Sequence, residues 1–354
     1  MRTPAGAAQP QAPVDGVSAS RRRPTIRDVA VAAGVSTATV SKVFRGGYRL
    51  RPETEQRVRD AATALDFSPN PYAQSLHGSR TGTVGLIASD IDGRFSLPVM
   101  MGAEDAFGIE QLSVFLCDAR GDTIREQHHL RKLLARRVDG IIVVGSETNA
   151  RETLGADIPV PVVYAYAPSL HPSDVSVVPD NVAGGRLAAD HLLGLGFTEI
   201  GYLSGDGSYE AAQDRVRGAR EVLRKAGTDI LGAEALFGPW SEEWGRAGAR
   251  RLLQRHPQMD ALLCGSDHIA RGTLDALRED GLRVPGDIAV MGHDNWELLA
   301  AQSRPPLSTI DNNLETLGRR AAELLTSAID GDPQPGVHRV SPLLVPRAST
   351  LGGS

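Results

Sequence analysis

The sequence predicts an N-terminal all-α helix-turn-helix unit followed by an α/β body of two lobes, each built on a doubly wound parallel sheet. Three observations predict this. Residues 26–45 hold two short runs of helical periodicity broken by one glycine. From Thr81 onward, strand patterns alternate with helical ones. Charge also divides by segment. Residues 21–80 hold eleven Lys/Arg against five Asp/Glu, a net of +6, so a chain of net charge −5 carries −11 over residues 81–354. A basic head on an acidic body puts a nucleic-acid contact at the N-terminal end.

The 354 residues call for two or three domains, and 41% hydrophobic with 23% charged residues is ordinary globular composition. No apolar run approaches the roughly 20 residues of a membrane helix. Residues 1–20 lack the apolar core of a secretory signal, so the expected place is the cytoplasm, on the nucleoid. Residues 1–24 read as a disordered tail ending in the basic arm Arg21-Arg22-Arg23, which either follows phosphates or is simply solvated. Cys117 and Cys264 lie far apart in apolar runs and read as a reduced pair. Neither a disulfide nor a metal site has the required count and spacing, and no cofactor is expected.

In order, Thr25 caps a first helix with Ile26, Val29, Ala30 and Ala33 at helical spacing. Gly34 breaks it, and Ser36 caps a second. Val40, Val43 and Phe44 give the second helix one apolar face. The other carries Thr37, Ala38, Ser41 and Lys42, with Arg45 beyond: small polar or methyl groups plus cations, suited to a DNA groove. A third helix starts at Pro52. The expected core of this unit, 25–68, is Ile26, Val29, Val40, Phe44, Val58 and Leu65. Within 69–80, Asn70, Pro71 and Gly78 spell a helix of barely two turns. Isolated helices below about 12 residues are marginal in water, so this one is a candidate switch.

In the body (81–354), strands are predicted at 84–88, 112–116, 140–144, 161–164, 200–203, 261–264 and 288–291. Helices are predicted at 97–107, 184–195, 214–226 and 269–280. The first lobe takes about 81–180 and 310–340, the second about 181–309 and 341–354. Two such lobes make a cleft, and ligands bind such sheets at the carboxyl ends of their strands.

Over nearly all of 25–350 the sequence resembles the lactose-repressor/galactose-repressor family of bacterial transcriptional regulators. The resemblance rests on Thr-Ile-Arg-Asp-Val-Ala at 25–30, Val-Ser-x-x-Thr-Val-Ser-Lys-Val at 35–43, Pro-Glu-Thr at 52–54 and Ser-Pro-Asn at 68–70 with Ala73 and Leu76. It continues through Arg-Val-Asp-Gly-Ile-Ile at 137–142, Pro-Asp-Asn at 179–181 and Asp-Arg-Val-Arg-Gly at 214–218. Val-Pro-Gly-Asp-Ile-Ala-Val-Met-Gly-His-Asp at 284–294 and Leu-Val-Pro-Arg-Ala-Ser-Thr at 344–350 complete it. It implies a periplasmic-binding-protein-like body and a DNA-binding repressor.

The resemblance also implies roles for residues. Thr37, Ala38 and Lys42 reach base edges, with Thr25, Ser36, Thr39, Ser41, Arg45, Arg51, Asn70 and Ala73 around them. Leu76 wedges into the minor groove from paired hinge helices. Lys42 stands where Arg is commoner, so a bidentate fork becomes a point-charge donor. Arg45 replaces the usual Asn, and Arg51 replaces a capping Ser, which weakens the third helix's cap. With such modest readers, Leu76 and the duplex's deformability are expected to carry much of the specificity.

In the cleft the resemblance places Phe95, Tyr166, Arg215, Trp240, Ser266 and Asp294 on a small effector. Arg215 and Asp294 suit hydroxyls because each makes two directional hydrogen bonds; the alternative is a salt bridge between lobes. Gly93-Arg94-Phe95-Ser96 replaces the family's Asn-Pro-Phe-Phe, and Tyr166 stands where Asp is frequent. The cleft has thus lost a carboxylate and gained an aromatic. A sugar leads, with a glycoside, a nucleoside or purine, or no small ligand as alternatives; a sugar-transport protein is a remote one. No Gly-x-Gly-x-x-Gly after a strand, Gly-x-Ser-x-Gly elbow or phosphate-binding Lys loop points to an enzyme. His128-His129 reads as solvated. The expected mechanism is a homodimer on a near-palindromic operator, with no room after Thr350 for a tetramer-forming helix. A coupling of roughly 1–3 kcal/mol between effector and DNA suffices.

Overall fold

The computed structural model describes residues 24–45, 50–67, 80–89, 95–109, 112–155 and 157–352. The basic arm, the 69–79 hinge with Asn70, Ala73 and Leu76, and Gly93-Arg94 lie outside the described residues. The chain divides into two compact units, 1–79 and 80–354.

The first unit contains α1 (Ile26–Ala33), α2 (Thr37–Arg45) and α3 (Pro52–Ala64). Thr25 starts α1 by donating its N–H and its hydroxyl to the Asp28 carboxylate at 2.7 and 2.6 Å. Gly34 ends it at φ 64°, where its N–H reaches the carbonyls of Ala30 and Val31; a side chain would be strained there. Ser36 Oγ then accepts from the Thr39 N–H at 3.1 Å and starts α2. Arg51 gives α3 no side-chain cap, and Pro52 opens it. Val29, Ala30, Ala33, Val40, Val43, Val58 and Ala62 form the core, with Phe44 and Leu65 half-buried against it. Ile26, expected inside, is 38% exposed. It shares the stripe of Val29, Ala30 and Ala33 but sits at its N-terminal end, on the first residue of α1.

The body follows the chain through its two lobes. The first lobe opens with β1 (Thr83–Ala88), α4 (Ser96–Ile109), β2 (Ser113–Asp118), α5 (Thr123–Ala135), β3 (Gly140–Val144), β4 (Val162–Ala165) and β5 (Val175–Pro179). The chain crosses at Asp180-Asn181. The second lobe is α6 (Asn181–Gly194), β6 (Ile200–Leu203), α7 (Glu210–Lys225), α8 (Glu242–Arg255), β7 (Ala261–Cys264), α9 (Asp267–Glu279), β8 (Ala289–His293), α10 (Glu297–Ala300) and β9 (Ser308–Asp311). It crosses back through Asn312 to α11 (Leu314–Ile329) and β10 (Gly336–Val340), then a third time to β11 (Leu343–Val345).

The first sheet has the order β10-β5-β4-β3-β1-β2 and the second β11-β9-β8-β7-β6. The first is parallel throughout. In the second, β11 runs antiparallel to β9, a departure from the all-parallel expectation, because the chain enters it from the last crossing rather than through a helix. β2, though an apolar run in the sequence, is an edge strand with Phe115 and Leu116 exposed. The second lobe's first segment ends at Asp311 rather than near 309, since β9 completes its pairing there.

Three helix pairs pack through reciprocal glycines. A Cβ on Gly102 would sit 1.9 Å from the Glu315 carbonyl oxygen, and one on Gly318 1.9 Å from that of Val99. Gly185 and Gly218 do the same between α6 and α7, against the carbonyls of Arg215 and Val182 at 2.0 Å. Gly245 and Gly272 do so between α8 and α9. These backbone-to-backbone approaches fix the helices that border the cleft. No described helix is long and apolar enough to cross a membrane.

Candidate effector cleft and nucleic-acid interface

On the head, the surface of α2 opposite Val40 and Val43 presents Ser36, Thr37, Ala38 and Lys42 exposed, with Thr39 and Ser41 half-buried. Part of this set already has local work. Ser36 Oγ lies 2.9 Å from Thr39 Oγ1 besides capping the helix, and the Thr25 hydroxyl proton is committed to Asp28. Arg51 is exposed at the start of α3. Thr37, Ala38 and Lys42 are all exposed on this face.

In the body, one cavity of about 180 Å³ lies at the carboxyl ends of both sheets. The first lobe contributes Phe95, Tyr166 and the loop Ser146-Glu147-Thr148 after β3. Phe95 and Tyr166 stack with ring centroids 4.9 Å apart at 21°. Tyr166 turns its backbone to φ 73° directly after β4 to hold that place.

The second lobe contributes Tyr209, Ala211, Arg215, Trp240 and Asp294. Tyr209 meets Trp240 edge-on at 5.8 Å. The Trp240 indole lies flat on Gly205, where a Cβ would come within 2.2 Å of its ring carbons. Burial and the nearby Glu147 carboxylate raise the Tyr209 pKa. Among the described residues, two buried polar atoms have no hydrogen-bond partner, Thr148 Oγ1 and Trp240 Nε1. Both belong to residues lining this cavity, one from each lobe.

The floor is a buried polar network. Arg215 donates Nε to Asn181 Oδ1 at 2.8 Å and Nη1 to the Gly265 carbonyl at 2.6 Å, and Nη1 lies 3.1 Å from Asp294 Oδ1. Asn312 Nδ2 donates to the same Asp294 oxygen at 3.1 Å. Since Asn312 Nδ2 is the donor there, its Oδ1 is left to accept from His293 Nε2 at 3.1 Å, which fixes the imidazole as the Nε2–H form. Full burial, with Arg215 close by, pushes the His293 pKa down to about 3. The Arg215–Asp294 pair thus lies within the second lobe rather than between lobes.

Of the six residues that the resemblance places on an effector, Phe95, Tyr166, Arg215, Trp240 and Asp294 border the one cavity. Ser266 does not. It is fully buried as the N-cap of α9, its Oγ accepting from the Ile269 N–H at 3.4 Å. Its neighbour Asp267 is likewise structural, accepting from the Trp296 N–H and the Thr309 hydroxyl. Sequence reasoning missed Ser146, Glu147, Thr148, Tyr209 and Ala211. The rule that ligands meet parallel strands at their carboxyl ends points to the first three, which follow β3 directly.

Comparison with known proteins bears on both units. Residues 25–70 match the model for bacterial regulatory proteins of the lacI family, and residues 189–350 match that for a periplasmic binding protein-like domain. The HTH-type transcriptional repressor PurR of Mannheimia succiniciproducens is 33% identical over 331 residues, covering 92% of this chain and 98% of that protein. Among solved structures, the lac repressor dimer bound to operator and the anti-inducer ONPF superimposes with a TM-score of 0.75 at 27% identity, covering 94% of this chain and all of that one. The transcriptional regulator CelR–cellobiose complex gives a TM-score of 0.63 at 30% identity, over 92% of this chain and all of that one. With its capped helix pair, its paired sheets and this likeness over nearly its whole length, the chain belongs to the lacI family of bacterial regulatory proteins and is a DNA-binding transcriptional regulator.

Proposed function

We propose that the protein is a repressor that binds a near-palindromic operator as a homodimer in the cytoplasm. Its grip on DNA is set by a small uncharged ring compound in the cleft, a sugar in the first place, which it binds without transforming. The observation that carries the ligand class is the pair of unpartnered buried groups, Thr148 Oγ1 and Trp240 Nε1, one per lobe. A buried polar group left unpaired costs about 1–3 kcal/mol, and a ligand hydroxyl can accept from the indole and exchange a hydrogen bond with the threonine. The Phe95–Tyr166 and Tyr209–Trp240 walls supply flat faces for the C–H side of a pyranose. The buried Asp294 and Arg215 largely neutralise one another, and the Glu147 carboxylate in the lining disfavours an anionic ligand.

The test is a thermal-shift series over mono- and disaccharides, nucleosides and free purines, since a ligand that binds the folded state raises its melting temperature. The matching sugar should raise it, Trp240→Phe should weaken that effect, and the sugar should be recovered unchanged. A response confined to purines or nucleosides would replace the sugar. That second reading draws support from the Phe95–Tyr166 stack, which a planar base could extend. Turnover of the bound compound would overturn the regulator-only view.

A further inference from the structure

Asn149 reaches from one lobe to the other with both ends of its amide. It follows β3 in the first lobe, past Thr148. Its Nδ2 donates to the Ser208 carbonyl at 3.2 Å, and its Oδ1 accepts from the Glu210 N–H at 2.8 Å. Glu210 is the first residue of α7, whose own N-cap residue, Tyr209, makes no side-chain capping bond. A helix start leaves its first N–H groups without intrahelical partners. Here one of them is capped by a residue of the opposite lobe.

The position of this contact matters more than its strength. Tyr209, between the two clasped backbone groups, forms the second lobe's aromatic wall with Trp240. Thr148, beside Asn149, bears the unpartnered hydroxyl, and Arg215 lies farther along the helix that Asn149 caps. One amide therefore fixes the separation of the two lobes' ligand-facing groups. Both bonds are exposed to water, so the clasp can open and re-form.

We propose that Asn149 is a positioning residue that caps α7 across the cleft, holding the lobes closed before any ligand enters and presetting the span between Thr148 and Trp240. The last step rests on the cavity being the effector site. The clasp itself does not, and its test uses no ligand.

The experiment is amide hydrogen exchange on the full-length, ligand-free protein, read at Glu210. Asn149→Ala should speed exchange there about tenfold, the scale of a lost helix cap, while β3 and β6 keep their protection. Asn149→Asp, which keeps the acceptor for the Glu210 N–H and adds a negative charge at the positive end of the helix but loses the donor to the Ser208 carbonyl, should restore part of the protection at Glu210. Unchanged exchange at Glu210 in Asn149→Ala would overturn the proposal. So would acceleration spread evenly through both sheets, or failure of Asn149→Asp to restore any protection. Failure of the sugar reading would leave all of these results untouched.

Discussion

Arg215 and Asp294 meet at 3.1 Å with each side chain 3% exposed, and each is also held by a residue at a lobe crossing. Asn181, at the first crossing, accepts from Arg215; Asn312, at the second, donates to Asp294. The floor of the cleft is therefore tied to two of the three strands of chain that join the lobes. A ligand that takes over one of these hydrogen bonds alters the crossings directly.

Removing one partner of this pair leaves a buried charge uncompensated, which costs about 3–5 kcal/mol. Asp294→Ala should lower the stability of the body by that order, whereas Asp294→Asn, which keeps acceptor and shape, should cost less. Urea unfolding followed by circular dichroism reads the difference. Equal losses in the two variants would show that the site depends on the charge of Asp294 alone, its hydrogen bonds and shape adding nothing.

His293 gives the body an acid limit. Its pKa falls from 6.5 to about 3 on folding, so between those values the unfolded chain binds the extra proton. Stability is full above pH 6.5 and declines as the pH falls towards 3, by about 2 kcal/mol at pH 5. His293→Gln removes the titrating group, and the slope of stability between pH 6.5 and 4 should flatten. An unchanged slope would assign the acid limit to other groups.

Gly205 sets the Trp240 wall. A Cβ there would enter the indole ring, so Gly205→Ala must displace Trp240 or the 204–209 loop. Overpacking of this kind costs about 1–3 kcal/mol. The variant should fold with altered tryptophan emission and lose binding of whichever compound the thermal-shift series identifies. Retained affinity would take Trp240 out of the recognition surface.

On the head, Lys42 stands exposed beside Thr37 and Ala38. Lys42→Ala should weaken operator binding by about 1–3 kcal/mol and relax preference at one base pair of each half-site, as expected of a base contact. Selection from random duplexes, compared between wild type and variant, reads this. Uniform weakening with a shallower salt dependence would make Lys42 a phosphate contact.

How far the sequence could be read varied with the kind of interaction. Caps are local, so Thr25, Ser36, Gly34 and Pro52 announced the head's helices without knowledge of the fold. Buried strands announced themselves as β-branched runs, as at Gly140–Val144. Ile26 was misplaced because periodicity gives a stripe but not the angle at which neighbouring helices meet it. Ser266 looked like a ligand group by position in the resemblance, yet a serine before a helix also caps it, and that use won. The Asn149 clasp joins residues some sixty positions apart, and nothing local in either segment records it.

The three crossings also bear on how the protein is made. The first lobe's sheet lacks its β10 edge until residue 340 has emerged, and the second lacks β11 and the buried Ser349 and Thr350 until the last residues do. Val290, Ser308 and Ser349 bond only at that stage. During synthesis the head's three helices are complete hundreds of residues earlier. A chain released near residue 330 would thus carry a finished head on a body with both sheets one strand short. Stop codons before residue 340 should therefore act on both lobes together, whereas a stop between 341 and 345 should leave the first sheet whole and damage only the second.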